Sequence, residues 1–247
     1  MKHTKIKSFI AACPAAATAA GCASFSAYAQ NEESGGNYAI VDSGEYQEYL
    51  DSLTDEQRKI VAAKEQMLEQ LLADKNITEP SGTYATSDTY IDLPGIFTMY
   101  RQETDDYCVS ACIMSALEYL GIGSPKQSVI NELVEDGHFS KIPEYINSMQ
   151  EQNFYIHKER PSLDELTECI KTDVGHYNVP TFLGIATNKD IRWFYTTSGH
   201  CVLSNGISND LSMIRIADPL GNVKPGVPVF YTAKASDVQQ MTRAICW

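Results

Sequence analysis

The sequence predicts an α+β protein in which helices pack on an antiparallel sheet. Three observations lead there. Stretches with helical apolar spacing occupy residues from about 106 to 172. Short β-branched and aromatic runs, separated by Gly, Asn, Asp and Pro, occupy residues from about 179 to 232. The two kinds of segment come one after the other, helices first and strands second, which argues for α+β with helices packed on one sheet.

Taken in order, Lys2, His3, Lys5 and Lys7 form a basic start, and Ser8 to Ala27 is uncharged and alanine-rich. Ala27-Tyr28-Ala29 has the small-x-small form of an export cleavage site, so residues 1–29 read as a signal peptide. A lipid-acceptor reading of Cys22 is the rival. It has Ala19 where such sites normally carry Leu, so export without an anchor is the expectation, to a secreted or cell-surface location. Pro14 and the many alanines argue against a membrane span here.

Residues 30–50 are polar, with Glu32, Glu33, Ser34, Gly35 and Gly36, and read as a linker. Thr54-Asp55-Glu56-Gln57 has the pattern of a capping box. It opens a helix to about Lys75 with an apolar stripe of Ile60, Val61, Met67, Leu68, Leu71 and Leu72. That helix either covers the main core or acts as an inhibitory pro-segment. Residues 79–94 are rich in Pro, Gly, Ser and Thr and read as a boundary, giving 30–92 as linker and helix and 93–247 as the main domain.

In that domain, Val109, Cys112, Ile113, Ala116, Leu117 and Leu120 recur at helical spacing from Cys108 onward. Glu103 to Asp106 offer capping oxygens just before it. Gly121 to Pro125 stop the helix, and shorter helices are predicted over 124–133, 142–152 and 162–172, the last capped by Ser162 with Glu165. Strands are predicted over 179–186, 191–195, 200–207, 211–217 and 227–232, joined as a meander.

Composition is that of an ordinary globular chain of 247 residues: 43% hydrophobic, 21% charged and 10% aromatic. Net charge is −13, and removing residues 1–29 removes three lysines and no acid, leaving about −16. Such a surface repels nucleic acid and anionic membrane, so neither is an expected partner. Five cysteines follow residue 29, an odd number with no close pair of metal-ligand spacing, so no structural metal is expected.

Cys108 is the residue of chemical interest. A thiol at a helix start meets unpaired N–H groups and the positive end of the dipole, which favour thiolate. Gln102, six residues upstream, carries an amide donor. In the strand half, Ser198-Gly199-His200 opens a run of alternating residues and Asp218-Pro219 ends a later one. Pairing 200–207 with 211–217 about a turn at Ser208-Asn209-Asp210 places residue 218 opposite residue 200. Thiol, imidazole, carboxylate and amide are the parts of a nucleophile–base–orienter set. His138, His157 and His176 lack such company and read as surface or loop.

Gln102, Tyr107-Cys108-Val109-Ser110-Ala111, Gly199-His200 and Ala217-Asp218-Pro219 together resemble the papain-superfamily cysteine peptidases, particularly the bacteriocin leader-processing branch. The residue after the cysteine is often Gly in that family and is Val109 here. The resemblance spans residues 93–247. It implies a papain-like fold, with Cys108 as nucleophile, His200 as base and acid, Asp218 as orienter, and Gln102 as oxyanion donor beside the Cys108 N–H. It implies peptide or protein substrates and no cofactor or metal. A cell-wall peptide amidase or transpeptidase uses the same thiolate chemistry, and a non-catalytic surface-binding protein is the non-enzymatic alternative.

Overall fold

A computed structural model describes residues 33–34, 44–78, 89–187, 191 and 193–247. The expected signal peptide, Cys22, and most of the linker at 30–43 lie outside the described residues. In chain order the elements are β1 (Glu33–Ser34), α1 (Glu45–Ser52), α2 (Asp55–Thr78), β2 (Tyr90–Asp92), α3 (Cys108–Tyr119), α4 (Gln127–Leu133), α5 (Ile142–Met149), β3 (His157–Glu159) and α6 (Leu163–Thr172). There follow β4 (Thr181–Thr187), β5 (Thr196–Ser208), β6 (Met213–Ala217), β7 (Phe230–Lys234), α7 (Ala235–Met241) and β8 (Thr242–Cys246).

The helix starts follow local chemistry. Gln57 N–H donates to Thr54 Oγ1 at 3.2 Å and Thr54 N–H to Gln57 Oε1 at 2.9 Å, a reciprocal box at the head of α2. Ser162 and Glu165 do the same for α6. The start of α3 has no such box. Its N-cap is Tyr107, with no side-chain hydrogen bond and no acid in the first turn.

The sheet runs β3-β8-β4-β5-β6-β7, with β1 and β2 also pairing with β5. The run β4 to β7 is the predicted meander, but the C-terminal strand returns to pair with β4, which separates β4 from β3. Ile191, Trp193, Phe194 and Tyr195, read as part of a strand, lie outside the strands; the regular pairing begins at Thr196. The stretch read as a boundary contains β2, whose Tyr90, Ile91 and Asp92 pair with Ser208, Ile207 and Gly206.

Strand alternation splits the interior into two cores. Phe182, Cys201, Leu203, Ala244 and Cys246 pack on one side with α3, α4 and α5. Leu183, Val202, Ile214, Ile216 and Ile245 pack on the other with α1, α2, α6 and α7. Helices therefore cover both faces, which is why β4 and β5 are buried almost throughout. It also explains α3, where Val109 through Ile113 are all buried rather than one stripe.

One polar group in this interior was not legible as such. Lys64 of α2 is 3% exposed. Its ammonium donates to Asn153 Oδ1 at 2.8 Å, lies 3.8 Å from Asp173 Oδ1 and stands 4.5 Å from the Trp247 ring centre. Asp173 also accepts from Asn153 and Thr181, so both buried charges are partnered.

Candidate active site

α3 begins at Cys108, and its first ladder bond runs from Ala111 N–H to the Tyr107 carbonyl at 2.8 Å. The N–H groups of Cys108, Val109 and Ser110 precede that ladder, and the N-cap residue Tyr107 makes no side-chain hydrogen bond to them. They are a ready set of donors beside the thiol. Val109 is buried in the α3-side core.

His200 lies on β5. Nε2 is 2.9 Å from Asp218 Oδ1, and the Cys108 side chain is near enough to act on the ring's protonation. With Nε2 on the carboxylate, Nδ1 is the nitrogen left for the sulfur. Cys108, His200 and Asp218 are 1%, 4% and 0% exposed. Burial opposes a charged ring, but the Asp218 carboxylate and the Cys108 sulfur outweigh it and hold the His200 pKa up at about 10. Burial likewise opposes the Asp218 charge; the His200 ring and three hydrogen bonds prevail and bring its pKa below the ordinary carboxylate value.

Those bonds bring in residues that sequence reasoning missed. Tyr195 Oη donates to Asp218 Oδ2 at 2.6 Å and Tyr231 Oη donates to the same oxygen at 2.9 Å. Leu220 N–H donates to Oδ1 at 2.9 Å. The Tyr195 ring also meets the His200 ring edge-on, centroids 5.4 Å apart. Tyr195 ends the aromatic run Trp193-Phe194-Tyr195 and Tyr231 sits in β7, so neither carries a local signal of this role. Their common role exists only once β5, β6 and β7 are side by side. Gly221 closes the turn after Asp218 so tightly that a Cβ there would run into the Val229 backbone.

Gln102 sits near the same place, its own N–H bonded to the Pro219 carbonyl at 3.1 Å. Its side chain is arranged differently from the expectation. Nε2 donates to the Thr104 and Asp105 carbonyls at 2.9 and 3.1 Å, while buried Oε1 has no hydrogen-bond partner. Both amide hydrogens are therefore engaged in the turn that leads into α3, and donation to an oxyanion requires one of them to be released.

The register also needs correction. The turn between β5 and β6 spans Ser208 to Ser212, and a bulge shifts the pairing between Ser204 and Gly206. The last ladder pair is Leu203 with Ala217, so His200 and Asp218 are not opposite one another. Asp218 leaves the ladder and its side chain reaches back. His157, read as surface or loop, lies buried on β3 between Tyr46 and Phe139.

The five described cysteines are free and buried. Burial pushes the thiols of Cys112, Cys169 and Cys246 well above their ordinary value, which leaves them poor nucleophiles. Among the described residues no group of three or more His, Cys, Asp or Glu could hold a metal ion. Nor is any helix among them long and apolar enough to cross a membrane.

No protein-family model matches the sequence, and no curated protein matches it. Solved structures that the chain matches include the peptidase domain of Streptococcus ComA, a bifunctional ABC transporter involved in a quorum-sensing pathway. It is 12% identical, with a TM-score of 0.39, and the match covers 62% of this chain and 97% of that one. Another is xylellain, a cysteine protease from Xylella fastidiosa, 12% identical with a TM-score of 0.43, covering 66% of this chain and 90% of that one.

Proposed function

We propose that this chain is an exported cysteine peptidase that hydrolyses peptide bonds through Cys108, His200 and Asp218. The observation that supports the reading most is the grouping of sulfur, imidazole and carboxylate, with backbone N–H groups ahead of the helical ladder beside the sulfur. The raised pKa of His200 keeps a proton on the ring across neutral pH, available to the leaving nitrogen.

In the first step the Cys108 sulfur attacks the carbonyl carbon of the scissile peptide bond. The C–S bond forms as the C=O π pair moves onto oxygen. That oxyanion is held by N–H groups at the start of α3, with Gln102 joining after one of its amide hydrogens leaves a turn carbonyl. His200 then gives its proton to the leaving nitrogen as the C–N bond breaks, releasing the amine and leaving an acyl-thioester. Neutral His200 next takes a proton from water, whose oxygen attacks the thioester and expels the Cys108 thiolate with the imidazolium restored. Asp218 remains an anion throughout and fixes the ring so that Nδ1 faces sulfur.

The test is turnover of denatured casein by the purified chain beside its Cys108→Ser and His200→Ala variants. Cleavage by the wild type and loss of it in both variants, with unchanged circular dichroism, is the expected result. Equal cleavage by the wild type and Cys108→Ser would overturn the assignment.

A further inference from the structure

Residues 44–78 form an arm of two helices ahead of the main domain, and its contacts lie away from the cysteine. Val61 and Leu68 of α2, with Tyr46, Tyr49 and Leu53 at α1, are buried in the core that excludes Cys108. α1 covers the β3 edge of the sheet. Tyr46 meets His157 of β3 with ring centres 5.1 Å apart, and Tyr49 Oη accepts from Asn147 Nδ2 of α5 at 3.1 Å. In the sheet, β8 and β4 stand between β3 and the strand of His200.

We propose that residues 44–78 are a retained brace of the catalytic domain, not a segment shed to activate it. Lys64 is the residue that fixes the brace, and it acts on the start of β4. For its effect on turnover the inference rests on the peptidase reading above. It adds the role of a segment that the triad leaves unexplained.

The first support is a polar cluster that the two parts complete together. Lys64 Nζ donates to Asn153 Oδ1 at 2.8 Å and to the Phe154 carbonyl at 3.3 Å, and stands 3.8 Å from Asp173 Oδ1. Asp173 is 0% exposed and accepts from Thr181 Oγ1 through Oδ2 at 2.9 Å. Thr181 is the first residue of β4, and Ile185 of the same strand pairs with His200. The cation thus comes from the arm, and the carboxylate, amide and carbonyl come from the domain. Withdrawing α2 takes from Asp173 the cation it is paired with, and loss of one member of a buried pair is far costlier than loss of an exposed one. A segment made for release would not carry the charge that the domain interior needs.

Position is the second support. An inhibitory segment has to lie over the nucleophile. With strands about 4.8 Å apart, the β3 edge that α1 covers is about 14 Å from β5. Covering an edge strand is instead a protective role, because it removes a template for pairing with other chains. The far end of α2 is tied down as well, by Lys75 Nζ to Asp164 Oδ1 of α6 at 2.6 Å.

The experiment uses the full chain with a recognition sequence for a site-specific protease inserted between Gly82 and Thr83. After cutting, the two pieces should elute together from a gel-filtration column, and casein turnover should be unchanged. In the cut Lys64→Met chain the N-terminal piece should elute separately and turnover should fall several-fold. A synthetic peptide of residues 44–78 should then restore it. Should that variant unfold, the cut wild-type chain in rising urea gives the same reading. Release of the piece should coincide with the change in tryptophan fluorescence, since Trp247 stands 4.5 Å from the Lys64 ammonium. A piece that leaves the cut wild-type chain without urea would overturn the proposal. So would turnover that rises on cutting, release from Lys64→Met with turnover unchanged, or a 44–78 peptide that inhibits. If the uncut chain turns over no casein, the peptidase reading fails, whereas co-elution and the joint urea transition still decide whether the arm is a retained brace.

Discussion

His200 Nε2 lies 2.9 Å from Asp218 Oδ1 although the two residues are not partners in the β5–β6 ladder. The contact is made past the last pair, Leu203 with Ala217, by a carboxylate that two phenols and a backbone N–H hold in place. It therefore depends on the turn after β6 as much as on the strands.

The first consequence concerns pH. His200 has a folded pKa of about 10 against an ordinary 6.5, so its pairing stabilises the fold fully below pH 6.5 and that contribution fades as pH rises through about 10. The alkaline limb of the kcat/KM profile is expected near pH 10. A limb near 7 would show that the carboxylate does not hold the ring.

Asp218→Asn keeps the shape but removes the charge that fixes the ring's tautomer and orientation. By analogy with other triads, kcat is expected to fall by about four orders of magnitude. Steady-state kinetics would check this, and the alkaline limb should move toward lower pH at the same time.

Tyr195→Phe and Tyr231→Phe each remove one hydrogen bond to a buried carboxylate while keeping the ring. A bond to a charged group is worth roughly 1.5–3 kcal/mol, so each variant should lose about that much stability in a urea melt. With fewer donors the Asp218 charge acts on His200 more strongly, and the alkaline limb should rise in both.

Lys64→Met leaves Asp173 buried without its cation, and breaking such a pair costs about 3–5 kcal/mol. Adding Asp173→Asn should recover much of the loss, because two neutral groups need no charge partner. Chemical denaturation of the two single variants and the double would show the non-additivity.

Gln102→Ala is expected to lower kcat by about 10²-fold with KM little changed, the signature of a donor used in the transition state. A change in KM alone would assign Gln102 to bracing the 102–105 turn, where its amide rests in this structure.

The sequence by itself determined α2 to α6 and the strands β4 to β7, because caps, apolar spacing and turn residues act within a few positions of one another. Thr54 with Gln57 and Ser162 with Glu165 are such cases. It also pointed to Cys108, His200, Asp218 and Gln102 as neighbours, through a helix start and a hairpin. What only the tertiary structure decided are the meetings of distant segments. A bulge in β5 set a register that counting residues could not give, because hairpin counting assumes an unbroken ladder. β8 inserted beside β4, and helices covered both faces of the sheet. Tyr195 and Tyr231 converged on one carboxylate oxygen, and Lys64 found Asp173 across the interior. A polar side chain in such a place is stable only with its partner present, and the partner is chosen by packing between segments remote in the chain.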